Sequence, residues 1–228
     1  MVFVLTNDDG IDAPGIQALR QAVQQLGFDA VVVAPQDHLS GCGHQVTTTR
    51  TIQVERRSER EFAIAGTPAD CVRLAISHLV PDVQWVLSGI NAGGNLGSDV
   101  YISGTVAAVR EAALNQIPGI AFSQYRQGKR EIDWDYAAHL VQQVLQHLLE
   151  QPVQLGTFWN VNLPHLPPGA SNPATVFCLP CKQPLPITYE IRENGFHYAG
   201  RYSERRRDPG ADVDVCFSGQ ISITNLHL

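Results

Sequence analysis

One junction restricts the possible folds of this chain most: a short apolar run that ends in two adjacent acids. The run is Val2–Leu5, and Thr6-Asn7-Asp8-Asp9-Gly10 follows it directly. Consecutive apolar residues are typical of a strand buried on both faces, and therefore of a central strand in a parallel sheet. Ligands of open α/β sheets bind at the carboxyl ends of the strands. The junction therefore predicts an α/β fold with a ligand site after its first strand.

The acid pair has two interpretations. Adjacent carboxylates repel each other unless they share a proton or hold a cation, which favours a hard divalent metal ion with oxygen ligands. The Asn-Asp-Asp-Gly run is also typical of an ordinary turn, in which Asx side chains bond the local backbone and Gly10 has a positive φ. These residues by themselves leave both interpretations open.

Composition narrows the class of protein. Of 228 residues 44% are hydrophobic, which predicts a sizeable core, and the net charge of −6 argues against binding of duplex nucleic acid. No apolar run approaches the roughly 20 residues of a membrane span, and Val2–Leu5 is too short for a signal peptide. The five cysteines are scattered, which predicts a reduced, cytoplasmic protein. Cys178 and Cys181 lack a second pair, so we assign their spacing to chance.

Strand and helix patterns alternate as far as about residue 165, which predicts a Rossmann-like, doubly wound, mostly parallel sheet. Thr67-Pro68-Ala69-Asp70 has the residue types of a helix start, and residues 45–65 have those of antiparallel strands. The predicted core strands are Val2–Leu5, Ala30–Ala34, Val83–Ile90, Ile117–Ser123 and Phe158–Leu163. The predicted helices follow Pro14 and Thr67 and cover Val106–Asn115 and residues 134–149.

The composition changes after residue 165. Prolines cluster between Pro164 and Pro186, and Arg- and Tyr-rich pieces with strand-like patterns follow. We predict a core of residues 1–165 and a β-rich extension of residues 166–228 that is used in oligomerisation. Arg205-Arg206-Arg207 is typical of a solvated charge run or a subunit ion pair, with polyphosphate binding as the alternative.

Three predicted strands end in loops that carry oxygen ligands. Asp8 and Asp9 follow the first strand, Ser40 follows the second, and Asn91 and Asn95 follow the third. Because the carboxyl ends of parallel strands share one edge, we expect these side chains to converge. Two carboxylates with neutral oxygens suit Mg²⁺ or Mn²⁺, whereas zinc or copper sites more often contain Cys or His.

Ser103-Gly104-Thr105 starts a predicted helix. Backbone N–H groups and the helix dipole at such a start favour phosphate, although a plain Ser/Thr N-cap explains the same residues. A metal ion and a helix N-terminus at one edge would together suit phosphoryl chemistry.

Five motifs occur in an order that resembles one known family. They are Thr6–Gly10 with Ala13–Gly15, Val32–Pro35 with Ser40 and Gly43-His44, Gly66–Cys71, Ser88–Asn91 with Gly94-Asn95, and Ser103–Thr105. These motifs resemble the SurE family, the survival-protein 5′-nucleotidases. The resemblance implies a cytoplasmic, divalent-metal-dependent phosphomonoesterase that hydrolyses nucleoside 5′-monophosphates. The resemblance also implies 3′-monophosphates and short polyphosphate as further substrates.

The resemblance also implies roles for single residues. It implies that one Mg²⁺ or Mn²⁺ per subunit is bound by Asp8, Asp9, Ser40 and Asn91. It implies that Asp8, Asp9 and Asn91 are catalytic residues. Asn95, Ser103, Gly104 and Thr105 would bind the phosphate of the substrate. A homodimer or homotetramer formed partly by exchange of C-terminal segments is implied as well. Cys42 departs from the family pattern, and residues 178–210 align poorly.

Other functions and roles stay open. A non-catalytic, nucleotide-binding regulatory module would use the same sheet edge without metal or phosphate release. A phosphatase with Asp8 as covalent nucleophile usually needs an acid two residues later and a downstream lysine, but position 10 is glycine and lysine occurs only at 129 and 182. His44 is either a proton donor or a hydrogen-bonded structural residue. Asp99 is a further candidate acid, while Asp70 suits a helix start.

Overall fold

The described residues of the protein form a nine-stranded sheet with helices on both faces. The structure is a computed structural model and describes residues 1–128, 130–167 and 169–228. Its strands are β1 (Val2–Thr6), β2 (Asp29–Pro35), β3 (Val54–Ser58), β4 (Glu61–Ile64), β5 (Trp85–Asn91), β6 (Gly119–Gln124), β7 (Thr157–Leu163), β8 (Thr175–Phe177), β9 (Tyr189–Arg192), β10 (Gly195–Tyr198) and β11 (Ile221–His227). Its α-helices are α1 (Pro14–Gln25), α2 (Pro68–Leu74), α3 (Gly104–Leu114), α4 (Trp134–Leu149) and α5 (Asp212–Phe217).

The strand order creates a switch point beside β1. The order is β3-β4-β2-β1-β5-β6-β7-β11-β8, and the strands from β4 to β7 in that order run parallel. The chain moves from β1 towards β2 on one side, whereas β5 and its successors lie on the other. The crevice at the carboxyl ends of β1 and β5 is therefore where such a sheet binds ligands.

Two hydrophobic layers hold the helices against the sheet. Phe3 and Leu5 of β1 pack with α1 and α4 on one face, and Val4 packs with α2 and α3 on the other. The predicted doubly wound, Rossmann-like α/β core is therefore confirmed. No helix among the described residues is both long and apolar enough to cross a bilayer.

The segment before β3 departs from the prediction. Strands were expected over residues 45–65, but only β3 and β4 form there. Thr47 donates from its backbone N–H and its hydroxyl to Asp70, at 2.8 and 2.7 Å, and the Gln45 carbonyl accepts from Thr67 at 2.6 Å. These backbone groups bond to the start of α2 instead of forming a strand ladder.

The C-terminal segment adds strands to the same sheet. β11 runs antiparallel to β7 and parallel to β8, while β9 and β10 form a separate hairpin. These extra strands agree with the predicted β-rich extension. Because β11 pairs directly with β7, the sheet continues across the predicted division at residue 165. That division, and its role in oligomerisation, remain predictions.

Thr67 begins α2 through a capping box, as the sequence predicts. Its hydroxyl accepts from the Asp70 N–H at 3.2 Å, and the Asp70 carboxylate accepts from the Thr67 N–H at 3.0 Å. We expect Thr67→Ala to lower the free energy of unfolding by about 1 kcal/mol, measured by urea denaturation. Thr51→Ala, at an exposed position, is the matched control. Equal stability of the two variants would rule out the cap as a stabilising contact.

Candidate active site

Asn7 and Gly10 close the turn after β1 and leave the two acids free for other contacts. The Asn7 side-chain amide donates to the Gly10 carbonyl at 2.7 Å, and Gly10 has a φ of +100°. The turn interpretation is therefore correct for these two residues. The carboxylates of Asp8 and Asp9 bond elsewhere, so the turn does not compete with a ligand site.

Asp8 is a buried acid at the end of β1. Only 3% of the residue is exposed, and Thr105 Oγ1 donates to its Oδ1 at 2.5 Å. Burial raises the pKa of Asp8 and the charge of Asp9 adds to this, although the Thr105 hydrogen bond opposes the shift. No ion pair to Asp8 occurs within the described residues. A bound cation would compensate this buried charge.

Asp9 connects the end of β1 to the loop after β5. Its Oδ2 accepts from the Ala92 N–H at 3.0 Å, and its Oδ1 lies 3.2 Å from Nδ1 of His38. His38 was not predicted as a site residue, although its position two residues before Ser40 was an available signal. Asp9 is thereby held beside Asn91, its predicted partner in metal binding.

A cavity of about 400 Å³ opens at the switch point, and five predicted site residues line it: Asp8, Ser40, Asn91, Asn95 and Ser103. The Leu39 N–H donates to the Asp8 carbonyl at 2.7 Å, which holds the Ser40 loop at the end of β1. A larger cavity of about 530 Å³ lies near Tyr136 and His165, but none of the predicted site residues lines it.

The chemistry of the side chains around this cavity fits a hard cation. The Asn91 amide nitrogen donates to the Gly93 carbonyl at 2.8 Å, and no donor to its Oδ1 is found among the described residues. Nowhere in residues 1–128, 130–167 and 169–228 do three His, Cys, Asp or Glu side chains converge as in a zinc site. The available donors are two carboxylates, a hydroxyl and an amide oxygen, a set that suits Mg²⁺ or Mn²⁺.

The start of α3 contacts Asp8. Ser103 is the N-cap, because its Oγ accepts from the Val106 N–H at 3.1 Å. A Cβ at Gly104 would come within 2.8 Å of both Asp8 Cβ and Cys42 Sγ, so glycine permits this approach. The N-cap interpretation is correct, and the same N–H groups and dipole favour an anion next to Asp8.

Asn95 is fixed by side chains that the sequence analysis did not select. Its backbone N–H donates to Asn162 Oδ1 at 2.7 Å, and its carbonyl accepts from the amides of Asn160 and Asn162 at 2.9 and 3.0 Å. Its own Nδ2 donates to Ser123 Oγ at 2.8 Å, which leaves one N–H for an anion. Asn160 and Asn162 occupy alternate positions of a buried strand, and this pattern was the signal in the sequence that could have predicted their role.

Several alternatives from the sequence lie outside the cavity. His44 Nε2 lies 2.8 Å from Glu111 Oε2, which agrees with a hydrogen-bonded structural histidine, and Asp70 caps α2. Cys178 and Cys181 are free thiols. Lys182 does not line the cavity either, and Lys129 lies outside the described residues.

Arg205 forms a buried ion pair with Asp99. Arg205 is 3% exposed, and its Nη1 donates to Asp99 Oδ2 at 2.8 Å. The same oxygen accepts from the Tyr202 hydroxyl at 2.5 Å and from the Leu96 N–H at 3.1 Å. The prediction of a solvated charge run is therefore wrong for Arg205, whereas Arg206 is exposed. This cluster joins the C-terminal segment to the loop between Asn95 and Ser103.

Comparisons with known proteins identify relatives of this chain. A family model described as "Survival protein SurE" matches residues 3–180. A candidate 5′-nucleotidase of Nostoc sp. is 60% identical over the full length of both chains. The 5′-nucleotidase SurE of Moorella thermoacetica is 36% identical over 100% of this chain and 90% of that protein. The crystal structure of the SurE protein from Aquifex aeolicus matches with a TM-score of 0.86 and 32% identity, over 100% of this chain and 93% of that chain.

Proposed function

The chain belongs to the SurE family and is a 5′-nucleotidase, and from this premise we propose that it hydrolyses nucleoside 5′-monophosphates with one divalent metal ion as cofactor. The observation that carries the proposal is Asp8, a buried carboxylate at the switch point for which the described residues provide no cationic partner. Ser40, Asn91, Asn95 and Ser103 line the same cavity. The family resemblance adds 3′-monophosphates and short polyphosphate as further substrates.

Asp8, Asp9, Ser40 and Asn91 are the residues that would hold the metal ion. Their all-oxygen donor set supports Mg²⁺ or Mn²⁺. When bound, the ion would polarise a phosphoryl oxygen and lower the pKa of a water molecule. Thr105 orients the Asp8 carboxylate through its 2.5 Å hydrogen bond.

The remaining site residues would bind the phosphate and move one proton. Ser103, the N–H groups of Gly104 and Thr105, and the second N–H of Asn95 would donate to phosphate oxygens. We propose Asp9 as the acceptor of the proton from the attacking water, because a carboxylate among the residues that would hold the metal ion could serve as general base. The His38 and Ala92 contacts of Asp9 support this assignment by fixing its orientation.

We also propose a homodimer or homotetramer in which residues 166–228 contact another subunit. The hairpin of β9 and β10 exposes 84% of Ile191 and 75% of Phe196. Clustered apolar side chains with this exposure are typical of protein interfaces. The free cysteines support a reducing, cytoplasmic location. Sedimentation of the pure protein measures the oligomeric state, and a monomer at micromolar concentration would contradict this assembly.

Phosphate release from nucleoside 5′- and 3′-monophosphates tests the proposed reaction. We expect release with Mn²⁺ or Mg²⁺, loss of release in EDTA and recovery when the metal ion is restored. Asp9→Asn in the same assay should lower turnover, and unchanged turnover would remove Asp9 as proton acceptor. Nucleotide binding by folded protein without phosphate release, with either metal ion, would favour the regulatory module.

A further inference from the structure

The active-site cavity has two chemically different walls. The wall from the core carries Asp8, Asn91, Asn95 and Ser103, whose polar groups suit a metal ion and a phosphate. The wall from the C-terminal segment carries Leu185, Tyr198, Gly200 and Tyr202. A nucleotide has the same division, since its phosphate is charged and its base offers flat apolar faces. The second wall therefore suits contacts with the nucleoside.

Tyr198 is held in position before any ligand binds. Its hydroxyl donates to the Pro186 carbonyl at 2.9 Å. The rings of Tyr198 and Tyr189 pack edge to face, with their centroids 5.5 Å apart. A Cβ at Gly200 would overlap the Tyr198 hydroxyl, so glycine there makes room for the ring. The side chain nevertheless remains 47% exposed. A fixed aromatic ring with exposed surface loses little conformational entropy when a base stacks on it.

Tyr202, the other aromatic side chain among the described lining residues, is already occupied. The Arg205 guanidinium lies 5.0 Å from its ring centroid, and the Phe217 ring lies 6.1 Å away. Its hydroxyl bonds to Asp99. Tyr202 therefore supports the wall, and Tyr198 is the aromatic ring that has surface left for a ligand.

We propose that Tyr198 binds the nucleobase of the substrate by stacking, while the phosphate lies at Asp8 and Ser103. This inference rests on the proposed function and adds a residue that determines specificity. Every base has a π-face, so stacking tolerates all four bases. Tyr198 would therefore favour nucleotides over phosphorylated sugars without choosing among the bases.

AMP and ribose 5-phosphate form a matched pair of substrates, because the second has a hydroxyl group in place of the base. For Tyr198→Ala we expect kcat/KM with AMP to fall about tenfold, mainly through KM, and kcat/KM with ribose 5-phosphate to stay unchanged. Tyr198→Phe keeps the ring and should retain most of the activity with AMP. Tyr101→Ala removes an exposed aromatic ring that does not line the cavity and is the matched control.

Two outcomes of this comparison would overturn the inference. An equal loss with both substrates would mean that Tyr198 only supports the hairpin, and an unchanged kcat/KM with AMP would mean that it does not touch the base.

Calorimetric binding of the non-hydrolysable phosphonate analogue of AMP separates this inference from the proposed function. Tyr198→Ala should weaken that binding about tenfold. If the wild-type protein bound the analogue in this Tyr198-dependent way and released no phosphate from any substrate, the proposed reaction would fail and the inference would stand. Binding that is undetectable in the wild-type protein, or equal in the two proteins, would overturn the inference.

Discussion

Asp8→Asn is expected to reduce kcat/KM for nucleoside 5′-monophosphates by about 10³-fold, a loss typical of removing one electrostatic group at a reaction centre. The substitution keeps the oxygen that accepts from Thr105 and removes the charge that we assign to metal binding. Phosphate release in excess Mn²⁺ measures the loss. Added Mn²⁺ should raise the Tm of the wild-type protein and have much less effect on the Tm of the variant.

The matched control for Asp8→Asn is Asp12→Asn, at an exposed acid in the same turn region whose partner is Arg57. We expect Asp12→Asn to keep its activity. Without metal, Asp8→Asn should be at least as stable as the wild-type protein, because burial raises the pKa of Asp8 in the folded state. A carboxyl whose pKa is raised by folding lowers the free energy of unfolding at pH values above its pKa in the unfolded state. The uncharged amide of the variant avoids this loss of stability. Loss of activity together with a lower Tm would instead indicate a structural role for Asp8.

Arg205→Met is expected to lower the free energy of unfolding by about 3 kcal/mol, because it leaves the buried Asp99 carboxylate without its cation. Of the donors to Asp99 among the described residues, the Tyr202 hydroxyl and the Leu96 N–H would remain. Urea denaturation measures the loss, with Arg206→Met as the exposed neighbouring control, which should change stability by less than about 0.5 kcal/mol.

A second substitution distinguishes the ion pair from simple packing. The double variant Asp99→Asn/Arg205→Met removes both charges and should recover part of the stability lost in Arg205→Met. If Arg205→Met and Arg206→Met destabilised the protein equally, the buried ion pair would have no special role in joining the C-terminal segment to the loop that carries Asn95 and Ser103.

Local sequence signals were enough to identify most of the core elements. Apolar runs identified β1, β2 and β5, since a strand buried on both faces needs consecutive apolar side chains. The caps of α2 and α3 were also visible, since a cap depends on residues within one turn of helix. Strands were predicted over residues 45–65, but none forms over residues 45–53, because Thr47 bonds to Asp70, a residue 23 positions away.

The site was only partly visible in the sequence. Oxygen-bearing residues after parallel strands predicted that Asp8, Ser40 and Asn91 would meet, because one sheet edge collects them. Support from Asn160 and Asn162 was missed, because those residues contact Asn95 from 65 and 67 positions away.

The α/β core, the helix starts and the set of residues at the sheet edge could all be predicted from the sequence, because periodicity, capping and strand direction act over short distances. Which polar residues are buried, and which aromatic residues line the cavity, became known from the packed structure alone. Arg205 looks like its exposed neighbour Arg206 in the sequence, and the strand-like pattern around Tyr198 does not show which residues that side chain contacts. Their environments depend on contacts with Asp99 and with the cavity, which exist only after distant parts of the chain have packed together.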